Sequence, residues 1–233
     1  MSKKFFLRTE FLPLGFASVG LVVLIWYAVT VTGYIQPIFL PSLGATFRAL
    51  WKLLVSGIFF RALIISFARI AIATILAVVA GAAVGVCMGV SHKMESFFSP
   101  IIEPLRYLPI TALIPILVLW FGIGETMKIM FLFLGIVFYF IPLVRNAIRS
   151  TPQEYIDIAK SFGAKFGVLA RDIYWLHALP QIFDGIIVVN GIGWTYVILA
   201  EIINAREGLG YLINIAGRLQ RSNSYRQRER PRS

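Results

Sequence analysis

Seven polar or aromatic side chains lie within or at the ends of long apolar runs: Arg69, Thr111, Asn190, Trp194, Thr195, Tyr196 and Glu201. A polar group at membrane depth is costly, and its default reading is a path for a polar solute. Most of these residues also have a plainer reading. Arg69 stands near the end of its run and can snorkel to the surface. Asn190 can bond a neighbouring helix, and Trp194 and Tyr196 can anchor at the water interface. Glu201, at the outer end of its run, suits gating or pairing with a basic group as well as solute contact. His177 and Asp184 flank the start of the last run, and one histidine with one carboxylate makes neither a catalytic nor a metal site. Cys87 is the single cysteine. No disulfide or cysteine metal site can therefore form within the chain, and the thiol reads as buried and inert.

The elements that position these residues follow from composition. Of 233 residues, 58% are hydrophobic and 14% charged, and mean hydropathy is +0.81, more apolar than a soluble domain of this size requires. The apolar residues gather into runs of roughly 17 to 25, the length a helix needs to cross hydrocarbon. Because lipid offers no partner to a free backbone group, the runs are expected to be helices, and no barrel alternation is visible. The fold class is all-α, a polytopic helical membrane bundle with about five spans. The net charge of +11 lies between and beyond the runs. Positive-inside bias explains that placement without nucleic acid.

Spans are expected at residues 11–32, 62–90, 105–121, 127–148 and 182–200. The basic flank Lys3, Lys4 and Arg8 puts the N-terminus in the cytoplasm, with no cleavage site closing the first run. Residues 42–56 form an amphipathic surface helix on the outer side, although Arg48 and Lys52 run against the charge bias there. The second span is rich in small residues (Ala77, Gly81, Gly85, Gly89), so it should pack closely on another helix. A short amphipathic piece covers residues 97–106. Pro109 and Pro115 should kink the third span, making it a candidate wall of the path.

The polar segment 149–177 falls on the cytoplasmic side. Thr151-Pro152-Gln153-Glu154 reads as a capping box with proline at the first helical position. Tyr155, Ile158, Ala159, Phe162 and Phe166 then recur at helical spacing, and Gly163 supplies a left-handed stop. The product is a short amphipathic helix outside the membrane. It either lies on its own protein or lipid or serves as an aromatic knob for a partner's groove.

Here the chain resembles a known family. Glu154, Ala159, Gly163-Ala164 and the distal Leu179-Pro180 match the cytoplasmic loop of binding-protein-dependent ABC importer permeases. LRYLPITALIPILVLWFGIGETMKI (105–129) and WTYVILAEIINAREGLGYLI (194–213) resemble its sulfonate, taurine, nitrate and bicarbonate branch. The resemblance spans roughly residues 62–221. Tyr155 and Ile156 depart from it, standing where the general motif has small residues.

The resemblance implies a permease subunit in the bacterial inner membrane that imports a small solute and is not itself an enzyme. It implies a cytoplasmic ATP-binding subunit seated on Glu154, Tyr155, Ile158, Ala159, Phe162, Gly163 and Ala164. It also implies an extracytoplasmic solute-binding protein and a second permease copy in a homodimer, with no cofactor. Consistent with this, no G-x-x-x-x-G-K-[ST] phosphate cradle occurs, and Gly163-Ala164-Lys165 lacks the upstream glycine and the hydroxyl. Residues 1–217 are expected to be the permease domain and 218–233 a basic tail. The branch usually has a sixth span after Gly208-Leu209-Gly210-Tyr211, but here the sequence turns arginine-rich. That suggests a truncated or frameshifted end, with a true five-span variant or a lipid-binding tail as alternatives. A membrane-embedded enzyme would need titratable groups converging at one depth, and a passive channel would not need the capped helix.

Overall fold

The computed structural model describes residues 12–204 and 206–228, and the side chains of 15–203 and 206–218. Lys3, Lys4 and Arg8 lie outside the described residues. The chain divides into two compact units, residues 61–215 and a second made of those up to Phe60 with those from Ala216.

In the second unit, α1 (Leu12–Val31) presents apolar side chains on all sides. Trp26 Nε1 donates to the Pro41 carbonyl at 3.1 Å, tying the end of α1 to the chain that follows. The amphipathic α2 (Leu43–Val55) forms as expected, its N-terminus capped by the Ser42 hydroxyl, which accepts from the Ala45 N–H. None of its residues is buried.

The main unit is built around α6 (Glu125–Arg149). Met127 and Phe131, and then Leu132, Ile136, Phe140, Val144 and Ile148, recur at four-residue spacing along it and are fully buried. One flank receives α3 (Ile58–Val90), whose Ala77, Gly81, Gly85 and Gly89 form a stripe of small residues four apart. A Cβ added at Gly85 would stand 2.6 Å from Val144 Cβ and 2.8 Å from the Ile141 carbonyl. At Gly89 it would stand 2.6 Å from Ile148 Cβ, and at Gly81 2.8 Å from Phe140 Cδ1. The two backbones thus approach as only glycine allows, and the rising register shows that the helices run parallel. Cys87, two residues past Gly85 and so on the opposite face of the helix, is exposed rather than buried.

The other flank of α6 packs along α9 (Leu176–Asn204). Before α9 come a single turn, α8 (Phe166–Val168), and a π-helical stretch, Leu169–Trp175, which together make Phe166–Ile203 one continuous helix long enough to span. The helix that carries the fifth span therefore begins well before residue 182 and takes in part of the expected cytoplasmic loop.

The third span is not a single kinked helix over 105–121. Instead α4 (His92–Leu105), capped by Ser91, ends at Arg106. A 3₁₀ turn (Ile110–Leu113) and α5 (Ile114–Phe121) then leave at 92°. Pro109 caps the 3₁₀ turn and Pro115 sits in the first turn of α5. Both prolines occupy helix starts, where the missing N–H costs nothing, so they begin a new helix rather than bend an old one. Among the described residues three helices are long and apolar enough to cross a membrane, or four if the bent pair is one span, and Gly15–Val31 is a shorter apolar helix. The chain remains helical from Leu209 to Arg228 as α10.

Candidate functional site

Arg69 and Glu201, the two charged path candidates, meet at one end of the bundle. Glu201 is fully buried. Its Oε1 accepts from Arg69 Nη1 at 2.6 Å and Ser66 Oγ at 2.8 Å, and its Oε2 from the Gly210 N–H at 2.8 Å. Ser66 Oγ in turn accepts from the Leu209 N–H at 2.9 Å. The Gly208-Leu209-Gly210 turn makes this possible. Gly208 has φ +116°, and a Cβ there would collide with the Glu201 carboxylate; a Cβ at Gly210 would stand 2.5 Å from the Ile198 carbonyl. The glycines thus let the start of α10 close on a buried carboxylate, to which the Gly210 N–H donates directly and the Leu209 N–H is linked through Ser66, an arrangement that suits a helix N-terminus.

The rest of the Arg69 guanidinium is held by Glu125, with Nε to Oε2 at 2.6 Å and Nη2 to Oε1 at 2.7 Å. The buried Lys128 shares Glu125 Oε1 at 2.8 Å, and Arg69 Nη1 also donates to the Glu207 carbonyl at 3.0 Å. Glu207 is itself ion-paired to the exposed Arg61. The network joins α3, α6, α9 and α10. Beside it lies a cavity of about 500 Å³ lined by Arg69, Gly124, Glu125, Lys128, Arg206 and Glu207, among others. Arg69 is buried and does not snorkel, because its charge is met by the buried Glu201 and, in a bidentate pair, by the more exposed Glu125 at the start of α6.

The other path candidates are not gathered there. Asn190 Nδ2 donates to Thr74 Oγ1 on α3 at 3.5 Å, the neighbour-bonding reading. Trp194 packs on the main core. Tyr196 meets Phe131 edge-on at 6.0 Å, and its ring fills the space above Gly135, so it is core rather than an interface anchor. Thr111 and Thr195 are exposed, Thr111 on the 3₁₀ turn. Sequence reasoning missed Ser66, Glu125 and Lys128 as members of the cluster. The available signal was an arginine inside a span, which calls for carboxylates at the same end of neighbouring spans.

At the opposite end of α6, the expected amphipathic helix is present as α7 (Gln153–Ser161). Its capping box is not formed: the Thr151 hydroxyl donates to the Ile148 carbonyl at 2.8 Å, and Pro152, with no side-chain cap bond, is the N-cap. Thr151 is buried against the end of α6, so its hydroxyl satisfies that helix's last turn instead. The C-terminus matches expectation. Gly163 has φ +77°, its N–H donates to the Lys160 carbonyl at 2.9 Å, and the Ala164 N–H to the Ala159 carbonyl at 3.0 Å, a Schellman stop. Ile156 is buried and anchors the helix, whereas Tyr155, Ile158 and Phe162 are exposed, Phe162 by 87%. Glu154 is also exposed, and Ala159 and Ala164 are half-buried. Gln181 Nε2 donates to Ser150 Oγ at 2.8 Å, joining α9 to the end of α6, and Tyr155 lies 6.2 Å from the His177 ring, so α7 rests against α9.

Comparison with known proteins follows this geometry. A family model described as "Binding-protein-dependent transport system inner membrane component" matches residues 77–225. The taurine transport system permease protein TauC of Escherichia coli is 32% identical, over 88% of this chain and 76% of that protein. The putative aliphatic sulfonates transport permease protein SsuC of Escherichia coli is 33% identical, over 90% and 78%. The riboflavin transport system permease protein RibX of Chloroflexus aurantiacus is 31% identical, over 90% and 78%. With a family match over most of its length, relatives that are transport permeases, and several apolar helices around α6, this chain belongs to the binding-protein-dependent transport inner-membrane components and is a multi-pass membrane permease subunit.

Proposed function

We propose that the chain is the membrane half of an ABC-type importer, moving a small sulfonate-like anion (sulfonate, taurine, nitrate or bicarbonate) into the cell. A separate cytoplasmic ATPase docks on α7, an extracytoplasmic protein delivers the solute, and a second copy of the chain completes a homodimer. The observation that carries this reading is α7. It is an amphipathic helix clear of the spans, fixed by one buried isoleucine and a Schellman stop, with Tyr155, Ile158 and Phe162 left open to solvent. Exposed aromatic side chains on a rigid helix are the anchors a partner groove takes up. Two of the relatives named above are designated for taurine and aliphatic sulfonates, which supports the solute class.

Mechanically, α7 is linked to α6 through residues 150–152 and to α9 through α8 and the π-turn. Movement of the two ATPase subunits would then act on α6 and α9 as rigid bodies, so that the path opens alternately to either side. Glu154, Ala159, Gly163 and Ala164 shape the docking helix and its stop. Of the expected path residues Arg69, Thr111, Asn190, Trp194, Tyr196 and Glu201, the path keeps the exposed Thr111 and the cavity-lining Arg69, with the Arg69–Glu201 pair at its outer end, taking the N-terminus as cytoplasmic.

The test is ATP-driven uptake in proteoliposomes containing the permease, its ATPase and its binding protein. Gly163→Asp places a side chain at positive φ and a negative charge at a helix C-terminus, where it is unfavourable. It is expected to abolish ATPase association and uptake while the spans stay folded. Unchanged association and uptake would refute the docking role.

A further inference from the structure

Arg106 stands at the break between α4 and the 3₁₀ turn. Its guanidinium carbon is 5.2 Å from the centroid of the Tyr107 ring and 5.9 Å from that of Tyr139. At 1.5 Å per residue, Tyr139 lies about 21 Å along α6, a helix of roughly 36 Å, which puts the guanidinium near mid-depth of the bundle. The nearby carboxylates of α4 are committed elsewhere, Glu95 to Arg149 and Glu103 to Arg145 at 2.9 Å. Among the described residues no carboxylate pairs with Arg106, and its Nε is buried without a hydrogen-bond partner. Arg69, by contrast, is met by Glu125 and Glu201.

We propose that Arg106 is an anion-binding residue of the translocation path, taking the oxyanion head of the solute on the Nε/Nη edge of its guanidinium. This rests on the importer reading above. Tyrosine rings can hold the flat faces of a guanidinium and leave its in-plane donors unused, and that donor fork fits two oxygens of a sulfonate or similar head. An unpaired cation at membrane depth is retained only where something meets its charge in the working cycle. Non-helical backbone at that depth is tolerated where it lines a path, and residues 106–109 supply such a stretch. Tyr107, Leu108, Pro109 and Thr111 around the break are exposed, so the segment is open to a ligand or to a second copy of the chain. Nε is covered in this conformation, so the anion engages it only after the Arg106 side chain or its neighbours move.

The complete importer in proteoliposomes, with ethanesulfonate as the probe, tests this. Uptake and binding-protein-stimulated ATP hydrolysis are measured for the wild type, Arg106→Gln and Arg106→Lys. The glutamine variant is expected to import about tenfold less per ATP hydrolysed, with hydrolysis within about twofold of normal, and lysine to recover part of the loss. Uptake by the glutamine variant within about twofold of the wild type overturns the inference. So does parallel loss of uptake and hydrolysis in both variants, which marks a packing role. If the wild type fails to import ethanesulfonate, or imports riboflavin instead, the sulfonate reading of the importer fails, a distinguishable result.

Discussion

Replacing Gly85 by alanine tests how the bundle is held together. The new methyl would stand 2.6 Å from Val144 Cβ and 2.8 Å from the Ile141 carbonyl, the latter part of the α6 backbone and unable to rotate away. Carbon atoms in contact prefer about 3.5–4.0 Å, so α3 and α6 must separate by roughly 1 Å over this turn. Separation also opens gaps beside Ala77 and Gly81 in a core where Val144, Phe140 and Ile148 are fully buried. Overpacking of this kind costs about 1–3 kcal/mol. For a chain of this size that is a fall of roughly 2–4 °C in melting temperature per kcal/mol. Thermal unfolding of the purified protein in detergent provides the assay, with a graded set of variants. Gly89→Ala should match Gly85→Ala, because its methyl meets Ile148 Cβ at 2.6 Å. Gly81→Ala should cost less, because its obstacle is the edge of the Phe140 ring, and Gly191→Ala, with nothing within 4 Å, should not lower the midpoint. If Gly85→Ala melts with the wild type, or Gly191→Ala falls as far, the close parallel packing of α3 on α6 is wrong.

Three further outcomes are expected. Glu201→Ala leaves Arg69 with Glu125 alone and strands the Gly210 N–H, so detergent stability should fall by about 3–5 kcal/mol, read as a lowered melting midpoint, with Glu201→Gln milder. Gly208→Val combines a positive φ with a side chain driven into the Glu201 carboxylate, and should destabilise by about 2 kcal/mol or more in the same assay. Phe162→Ser removes a side chain that is 87% exposed. Its melting midpoint should correspond to a change within about 0.5 kcal/mol, while pull-down with the ATPase subunit weakens by more than about tenfold.

Helix type and order were legible for the spans because each carries a long apolar stretch. The small-residue stripe and the left-handed Gly163 stop are local chemistry, decided within a few residues, and both form where the sequence places them. The Thr151 box failed for an equally local reason. The same hydroxyl can serve either of two helix ends, and the buried last turn of α6 has the stronger claim. The single-helix reading of residues 105–121 failed because Pro109 and Pro115 carry two meanings, kink or helix start, that composition does not separate.

By itself, then, the sequence determined that the chain is a helical membrane protein, which segments are apolar, and that a capped-off amphipathic helix interrupts them. These properties depend on hydropathy and on backbone preferences within one or two turns. Only the tertiary structure decided that Arg69 is neutralised by Glu125 and Glu201, that Gly208 and Gly210 exist to admit a buried carboxylate, and that Arg106 lacks a carboxylate partner among the described residues. Charge pairing at depth joins residues as far apart as 69 and 201. Which of several carboxylates reaches a given cation is set by helix register and crossing, and neither is written in the spacing of any one segment.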